Sequence, residues 1–210
     1  MQVSQNEAAQ MMQKAAIGCG FSADRASDLS GAALWLVWQK YDGPQALAAL
    51  LSGADAHEPL KCRLSSSDRL ESAPTRTGRE GVAALDWLAA QPEGAVWYST
   101  DIDSPLLLTG LIGYSATEYQ MSFEVTSITA QTPATSITPD GISGPVITAR
   151  DVMISRVQQS IKTVSAHPVG PIQIPDDIWQ QLGGYAAQTY VPSSEQSRLS
   201  GAGAGIVEKD

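Results

Sequence analysis

Apolar positions in the first fifty or so residues recur every three or four places, which is the spacing of a single helix face. Ser4-Gln-Asn-Glu7 reads as a capping box, a hydroxyl taking one amide while a carboxylate reaches back to another. It predicts a first helix ending at the Gly18/Gly20 stop. Ser22 opens a second helix with Ala26, Leu29, Ala33, Leu36 and Val37 on one stripe, widened by Trp35 and Trp38. Gly43-Pro44 starts a third, since proline suits a first turn. Its stripe is Ala46, Leu47, Leu50 and Leu51, and Gly53 ends it.

The pattern lapses over 61–80, where Lys61, Arg63, Arg69, Arg76 and Arg79 stand among serines. A solvated loop is expected there, with a lid that steers an anionic substrate as the alternative. Residues 81–90 read as a short helix or buried segment, and 94–99 as a strand. Asp101-Ile-Asp-Ser-Pro105 reads as a helix start, with Asp103 or Ser104 as cap and an apolar run to Tyr114, in preference to an acidic pair for a divalent cation. The period then changes to two, at Met121, Phe123 and Val125 and again over 146–157. Between them a Ser/Thr/Pro-rich connection carries the turn signal Asp140-Gly141.

Residues 170–175 read as extended, and Asp176 or Asp177 as the cap of a helix facing inward through Ile178, Leu182, Tyr185 and Ala186. Helices first, strands in the middle and a helix near the end indicate an α+β fold. The expected architecture is an N-terminal helical cluster packed with a mainly antiparallel β-sheet, plus a C-terminal helix and a glycine-rich tail. We expect one domain over 1–210: helical cluster 1–55, basic loop and short helix 56–93, mainly β 94–160, helix and C-terminal motif 161–210.

Composition narrows the function more than the fold. Of 210 residues, 43% are hydrophobic and 17% charged, ordinary for a folded chain, and the formal charge is −9. So acidic a chain lacks the electrostatic footprint of a nucleic-acid binder and is not drawn to anionic membranes. The longest apolar runs, at 32–38 and 106–112, are too short to span a bilayer, and no basic region leads into an apolar run near residue 1. A soluble, cytoplasmic protein is expected. Cys19 and Cys62 make no disulfide framework; they read as small packed thiols, with a Cys62–His57 pair activated by Lys61 as the sharper alternative. His57 and His167 lack metal-ligand spacing, so no metal is assigned.

The remaining candidate chemistry lies at the end of the chain, in Thr189-Tyr-Val-Pro-Ser-Ser-Glu-Gln-Ser-Arg-Leu-Ser-Gly-Ala-Gly-Ala-Gly205. The alternating glycines do not make a dinucleotide fingerprint, because Ile206 stands where the third glycine belongs and too few residues follow for a helix. No organic cofactor is therefore expected. Ser193-Ser-Glu-Gln196 is itself a capping box, so a short capped helix is one account. On the other account the same residues form a site. Arg198 presents a planar fork to a carboxylate or phosphate, with Ser197 and Tyr190 beside it. Backbone amides at Gly201 and Gly203 form an anion nest, and Glu195 and Ser193 act as the catalytic pair.

This stretch, together with the N-terminal pattern Ser4…Glu7…Ala15-Ala16…Gly20-Phe-Ser22, Ala33, Trp35-Leu36 and Asp42-Gly43, resembles the domain of unknown function 3726. The resemblance implies a bacterial single-domain protein whose C-terminal stretch is a hallmark: Tyr190, Pro192, Ser193, Glu195, Ser197, Arg198, Gly201, Gly203 and Gly205. It implies no activity. The chain departs from the pattern in ending Glu208-Lys209-Asp210, where such proteins have an Asp-Asn-Asp-like triplet.

Two functions follow as expectations. One is a small-molecule enzyme (hydrolase, lyase or isomerase) acting on a small carboxylate or amino-acid derivative, with a small anionic metabolite as ligand. The other is a non-catalytic accessory or binding module for a partner metabolic enzyme, with Trp35 and Trp38 in the interface. A homo-oligomer is compatible with either.

Overall fold

The computed structural model describes residues 1–53, 59–129, 133–158 and 170–189. Three helices come first: α1 (Gln5–Gly18), α2 (Ala23–Trp38) and α3 (Gly43–Ser52). The Ser4 hydroxyl accepts the Glu7 amide at 3.1 Å, so the predicted cap is real. Pro44 sits in the first turn of α3, whose C-cap is Gly53.

The stretch expected to be a solvated loop is folded. Cys62–Ser66 (β2) and Arg69–Ser72 (β3) form an antiparallel hairpin, and Thr77–Gly81 is a π-helix that leads directly into α4 (Val82–Ala90). In the π-helix the Gly81 N–H reaches back to the Arg76 carbonyl at 3.3 Å. The polar composition misled because β2 lies at the margin of the sheet with four of its five residues exposed, whereas Leu70 and Ser72 of β3 are buried.

Val96–Ser99 (β4) follows, then α5 (Pro105–Tyr119), Ser122–Ser127 (β5), Thr135–Thr138 (β6), Gly141–Ser143 (β7) and Val152–Val157 (β8). With β1 taken as Gln2–Val3 and β9 as Ile172–Gln173, the main sheet has the order β2-β3-β4-β8-β5-β6-β7, while β1 and β9 pair apart from it. Every pairing is antiparallel except β3–β4. The crossover for that parallel pair is the π-helix and α4, as parallel strands require.

The chain is thus α+β, with a helical N-terminal region and a mixed, mostly antiparallel sheet. The segment 146–157 read as one strand, but only Val152–Val157 joins the ladder. The turn expected at Asp140-Gly141 closes the β6–β7 hairpin, with Gly141 at φ +137°. Asp176 and Asp177 were expected to cap α6 (Asp176–Ala186); they lie in its first turn, after Pro175 at the N-cap. Negative charge suits that end of the helix dipole.

One face of the sheet meets the helices. Leu70, Trp97, Ile154, Val125 and Thr135 are register neighbours across five strands, and all are buried. Over this face lies α5, buried almost all round from Leu107 to Ala116. Against its other side packs α2, whose Trp35 ring sits where a Cβ on Gly113 would be, 2.3 Å away. Glycine is required there because the ring occupies the space of any side chain. Trp35 is 1% exposed. Its expected interface role is corrected: it belongs to the core. Trp38 is half-buried and its indole N–H donates to Gln5 Oε1 at 3.3 Å. No helix among the described residues is long and apolar enough to cross a membrane.

Candidate functional site

The sequence-predicted site residues Tyr190, Ser193, Glu195, Ser197, Arg198, Gly201 and Gly203 lie outside the described residues, as do His57 and His167. The chemistry that the structure does show lies elsewhere.

The acidic pair read at Asp101 and Asp103 is divided between two structural tasks. Asp103 Oδ1 accepts the Thr77 amide at 2.9 Å and the Thr77 hydroxyl at 2.7 Å, so it caps the π-helix rather than α5. Asp101 pairs with Arg150 at 2.5 Å.

Just beyond that cap lies a buried ion pair. Arg79 and Glu80 are 2% and 0% exposed and meet at 2.9 Å. Glu80 Oε1 also accepts the Lys61 amide at 2.9 Å and Oε2 the Arg76 amide at 3.0 Å, while Arg79 donates to the Pro59 carbonyl at 2.8 Å. These contacts hold the approach to β2 against the start of the π-helix. They also decide the state of Cys62. Burial and the Glu80 carboxylate push its thiol up to about 11, and Arg79 only partly opposes this. This agrees with the reading of Cys62 as a packed thiol and speaks against the alternative of a thiolate activated by Lys61, because burial and a carboxylate oppose ionisation. Burial raises Cys19 as well, and both thiols are free.

A second polar group, buried under the sheet, is fully engaged. The Ser72 and Thr75 hydroxyls meet at 2.7 Å, Ser99 donates to Thr75 at 3.0 Å, and the Trp97 indole donates to Ser72 at 2.9 Å. Each member satisfies another, so the group stiffens the β3–β4 pair and presents nothing to a ligand.

The site with unspent chemistry is a cleft of about 110 Å³ where α2, α4 and α5 meet. Asp28 enters from α2, Asp86 from α4, and Tyr114, Ser115, Glu118 and Tyr119 from the last two turns of α5; Val82 and Leu111 form the apolar floor. The Tyr119 hydroxyl donates to Asp86 Oδ1 at 2.9 Å. Burial, this bond and the nearby carboxylates push Tyr119 up to about 12, and burial with Glu118 and Asp28 raises Tyr114. Both phenols therefore stay protonated at neutral pH.

Asp28 is the distinctive member. It is half-buried, and the charges acting on it are Asp86, Asp24 and Glu118, all carboxylates; burial comes first and they add to it, lifting it from 3.8 to about 6. Ser115, 8% exposed, lines the cleft, and its hydroxyl makes no hydrogen bond among the described residues. Its oxygen still opens to the cleft, so it keeps its hydrogen-bonding capacity for what enters there.

Two other clefts are larger and chemically blander. One, of about 280 Å³, lies between β5, β6 and residues 145–152 and is walled by Val125, Ile147, Val152 and several threonines. The other, of about 310 Å³, lies between α1 and α6 beside Glu7, Lys14 and Trp179. Neither brings several carboxylates and phenols together as the α2–α4–α5 cleft does.

Sequence reasoning missed the acidic cleft, though two signals were present. Asp24 and Asp28 are like charges one helical turn apart, an arrangement that weakens a helix. Tyr114, Ser115, Glu118 and Tyr119 interrupt an otherwise apolar helix at spacings that share one face.

The fold and the cleft define a mixed α+β protein with an acidic, tyrosine-lined hollow between helices. Residues 3–79 match the family model described as "Protein of unknown function (DUF3726)", which shows the resemblance read from the N-terminal pattern. The C-terminal stretch falls outside that match. Among curated proteins none matches. Among solved structures the chain is similar to the malate dehydrogenase from Pyrococcus horikoshii OT3, at 10% identity and a TM-score of 0.47. The match covers 74% of this chain and 50% of that one, so this chain spans half of that structure's length. A likeness of that size carries no functional argument.

Proposed function

We propose that the protein is a small-molecule enzyme of the hydrolase, lyase or isomerase kind, with proton transfer at Asp28 in the α2–α4–α5 cleft. The observation that carries this reading is a carboxyl group lifted to about 6 in a concave site. A group that titrates near working pH gives and takes protons with the least penalty, which is why acid–base catalysts are tuned in this way. The Tyr119 hydroxyl spends its proton on Asp86 Oδ1 and so fixes that second carboxylate in the same cleft. The test is turnover across a metabolite panel by wild type and Asp28→Asn. Loss of about 10²- to 10⁴-fold is expected on removing a general acid or base, with a wild-type pH–rate limb near 6 that the variant lacks. Undiminished turnover by the variant would sink the proposal.

The C-terminal residues remain a separate proposal. In it Arg198, with Ser197, Tyr190, Gly201 and Gly203, anchors a carboxylate, and Glu195 with Ser193 moves the proton. Glu195→Ala and Arg198→Ala test it independently of Asp28.

The accessory-module reading is favoured by one feature. Leu64 on β2, the last strand of the described sheet on that side, is 59% exposed, and Leu60 just before it is 45% exposed. A strand edge bearing large apolar residues is a template for association. A co-purifying subunit lost in Leu64→Lys would support that reading.

A further inference from the structure

We infer that the cleft between α2, α4 and α5 receives the ammonium end of an organic cation, an alkylamine or its methylated form. This rests on the reading of that cleft as the ligand site and names the chemistry it selects.

Charge is the first argument. Asp28, Asp86 and Glu118 converge from three helices with Asp24 behind them, and no lysine or arginine of the described residues pairs with any of them. The C-terminal end of α5 adds its own negative partial charge at the same place. An anion entering here meets the repulsion of those three carboxylates. A cation relieves the mutual repulsion that holds Asp28 at about 6.

The kind of cation follows from geometry. The carboxylates do not close into a metal-ligating set, and no such group of three exists among the described residues. Tyr114 and Tyr119 line the cleft, and aromatic rings attract ammonium groups. The Ser115 hydroxyl lines the cleft, makes no hydrogen bond among the described residues, and is an acceptor for an N–H of the bound group. Val82 and Leu111 on the floor contact the first carbons of an alkyl chain. A cleft of about 110 Å³ holds a head group and a few carbons, well below the several hundred Å³ of a whole-ligand pocket. The rest of the molecule lies outside.

The test titrates the full chain at pH 7.5 and low ionic strength with n-butylammonium, tetramethylammonium, butyrate, n-butanol and magnesium chloride. Binding is followed by chemical shifts of the Tyr114 and Tyr119 rings. The ammonium probes should bind and butyrate should not. Asp28→Asn should weaken n-butylammonium about tenfold, as expected for losing one charge-assisted hydrogen bond. Ser115→Ala, which keeps every carboxylate, should weaken n-butylammonium more than tetramethylammonium, because only the former donates an N–H. Added salt should weaken both. The inference is overturned if butanol or butyrate matches n-butylammonium, if magnesium alone displaces the ammonium probes, or if Asp28→Asn binds them unchanged. The enzyme reading fails on a different readout, undiminished turnover by Asp28→Asn, so the two failures are separable.

Discussion

Asp28→Asn should make the protein more stable at neutral pH while removing a group we assign to function. Folding lifts the Asp28 carboxyl from 3.8 to about 6, through burial and then Asp86, Asp24 and Glu118. Between those values the folded chain holds a proton that the unfolded chain has released. Stability therefore falls as pH rises through that window and stays at its lower level above about 6. At roughly 1.36 kcal/mol per tenfold change in proton affinity, the full rise corresponds to about 3 kcal/mol. The carboxyl is only half-buried, so solvent and salt screen much of this, and a gain of about 1 kcal/mol at pH 7.5 is the expectation. For a chain of this length that is a rise in midpoint of about 2–4 °C. The assay is thermal unfolding of wild type and variant from pH 4 to 8, at two salt concentrations. The gain should be present at pH 7.5, smaller in high salt, and largely gone near pH 4, where Asp28 is protonated. A gain of the same size at both ends, or a loss at pH 7.5, would refute the electrostatic account of the cleft.

Two further outcomes follow from the core. Glu80→Ala removes the carboxylate that neutralises Arg79 and takes the Lys61 and Arg76 amides; breaking a buried pair on one side costs about 3–5 kcal/mol, read from urea unfolding, and a loss below about 1 would contradict the burial described. Gly113→Ala forces a methyl against the Trp35 ring and should cost about 1–3 kcal/mol, whereas Gly184→Ala in α6, with nothing within 4 Å, should gain about 0.5–1 by helix propensity; equal effects would mean that the α2–α5 contact is looser than it stands here.

How much of this was legible depended on whether the cause was local. The Ser4 cap, Pro44 at the start of α3, and the apolar stripes of α1 to α3 act within a few residues, and the pattern displayed them. The β2–β3 hairpin was hidden because a marginal strand wears polar residues on both sides, so Arg63 and Arg69 looked like loop. Arg69 in fact lies over the Tyr98 ring at 3.9 Å and pairs with Glu71. Arg79 and Glu80 look like any surface pair in the sequence. Only the long-range partners Lys61 and Pro59 reveal that they are buried. Asp28, Asp86 and Glu118 share a cleft because three helices bring them together, and no spacing along the chain encodes that. Of the two caps read for α5, Ser104 takes the N-cap position, whereas Asp103 turns to Thr77 of the π-helix, which comes earlier in the chain.

The central helix α5 has almost no wet face from Leu107 to Ala116, yet its last turn forms a wall of the acidic cleft. A helix so enclosed cannot detach by itself; its amides exchange with solvent only when the sheet or α2 gives way, which ties their protection to the global opening of the fold. Its exposed end behaves differently, because Tyr119 and Gln120 meet water directly. Occupancy of the cleft should therefore be felt as slower exchange at that end alone, while the rest of the helix reports only the stability of the whole. One element thus carries both records, a fast one at its tip and a slow one along its length.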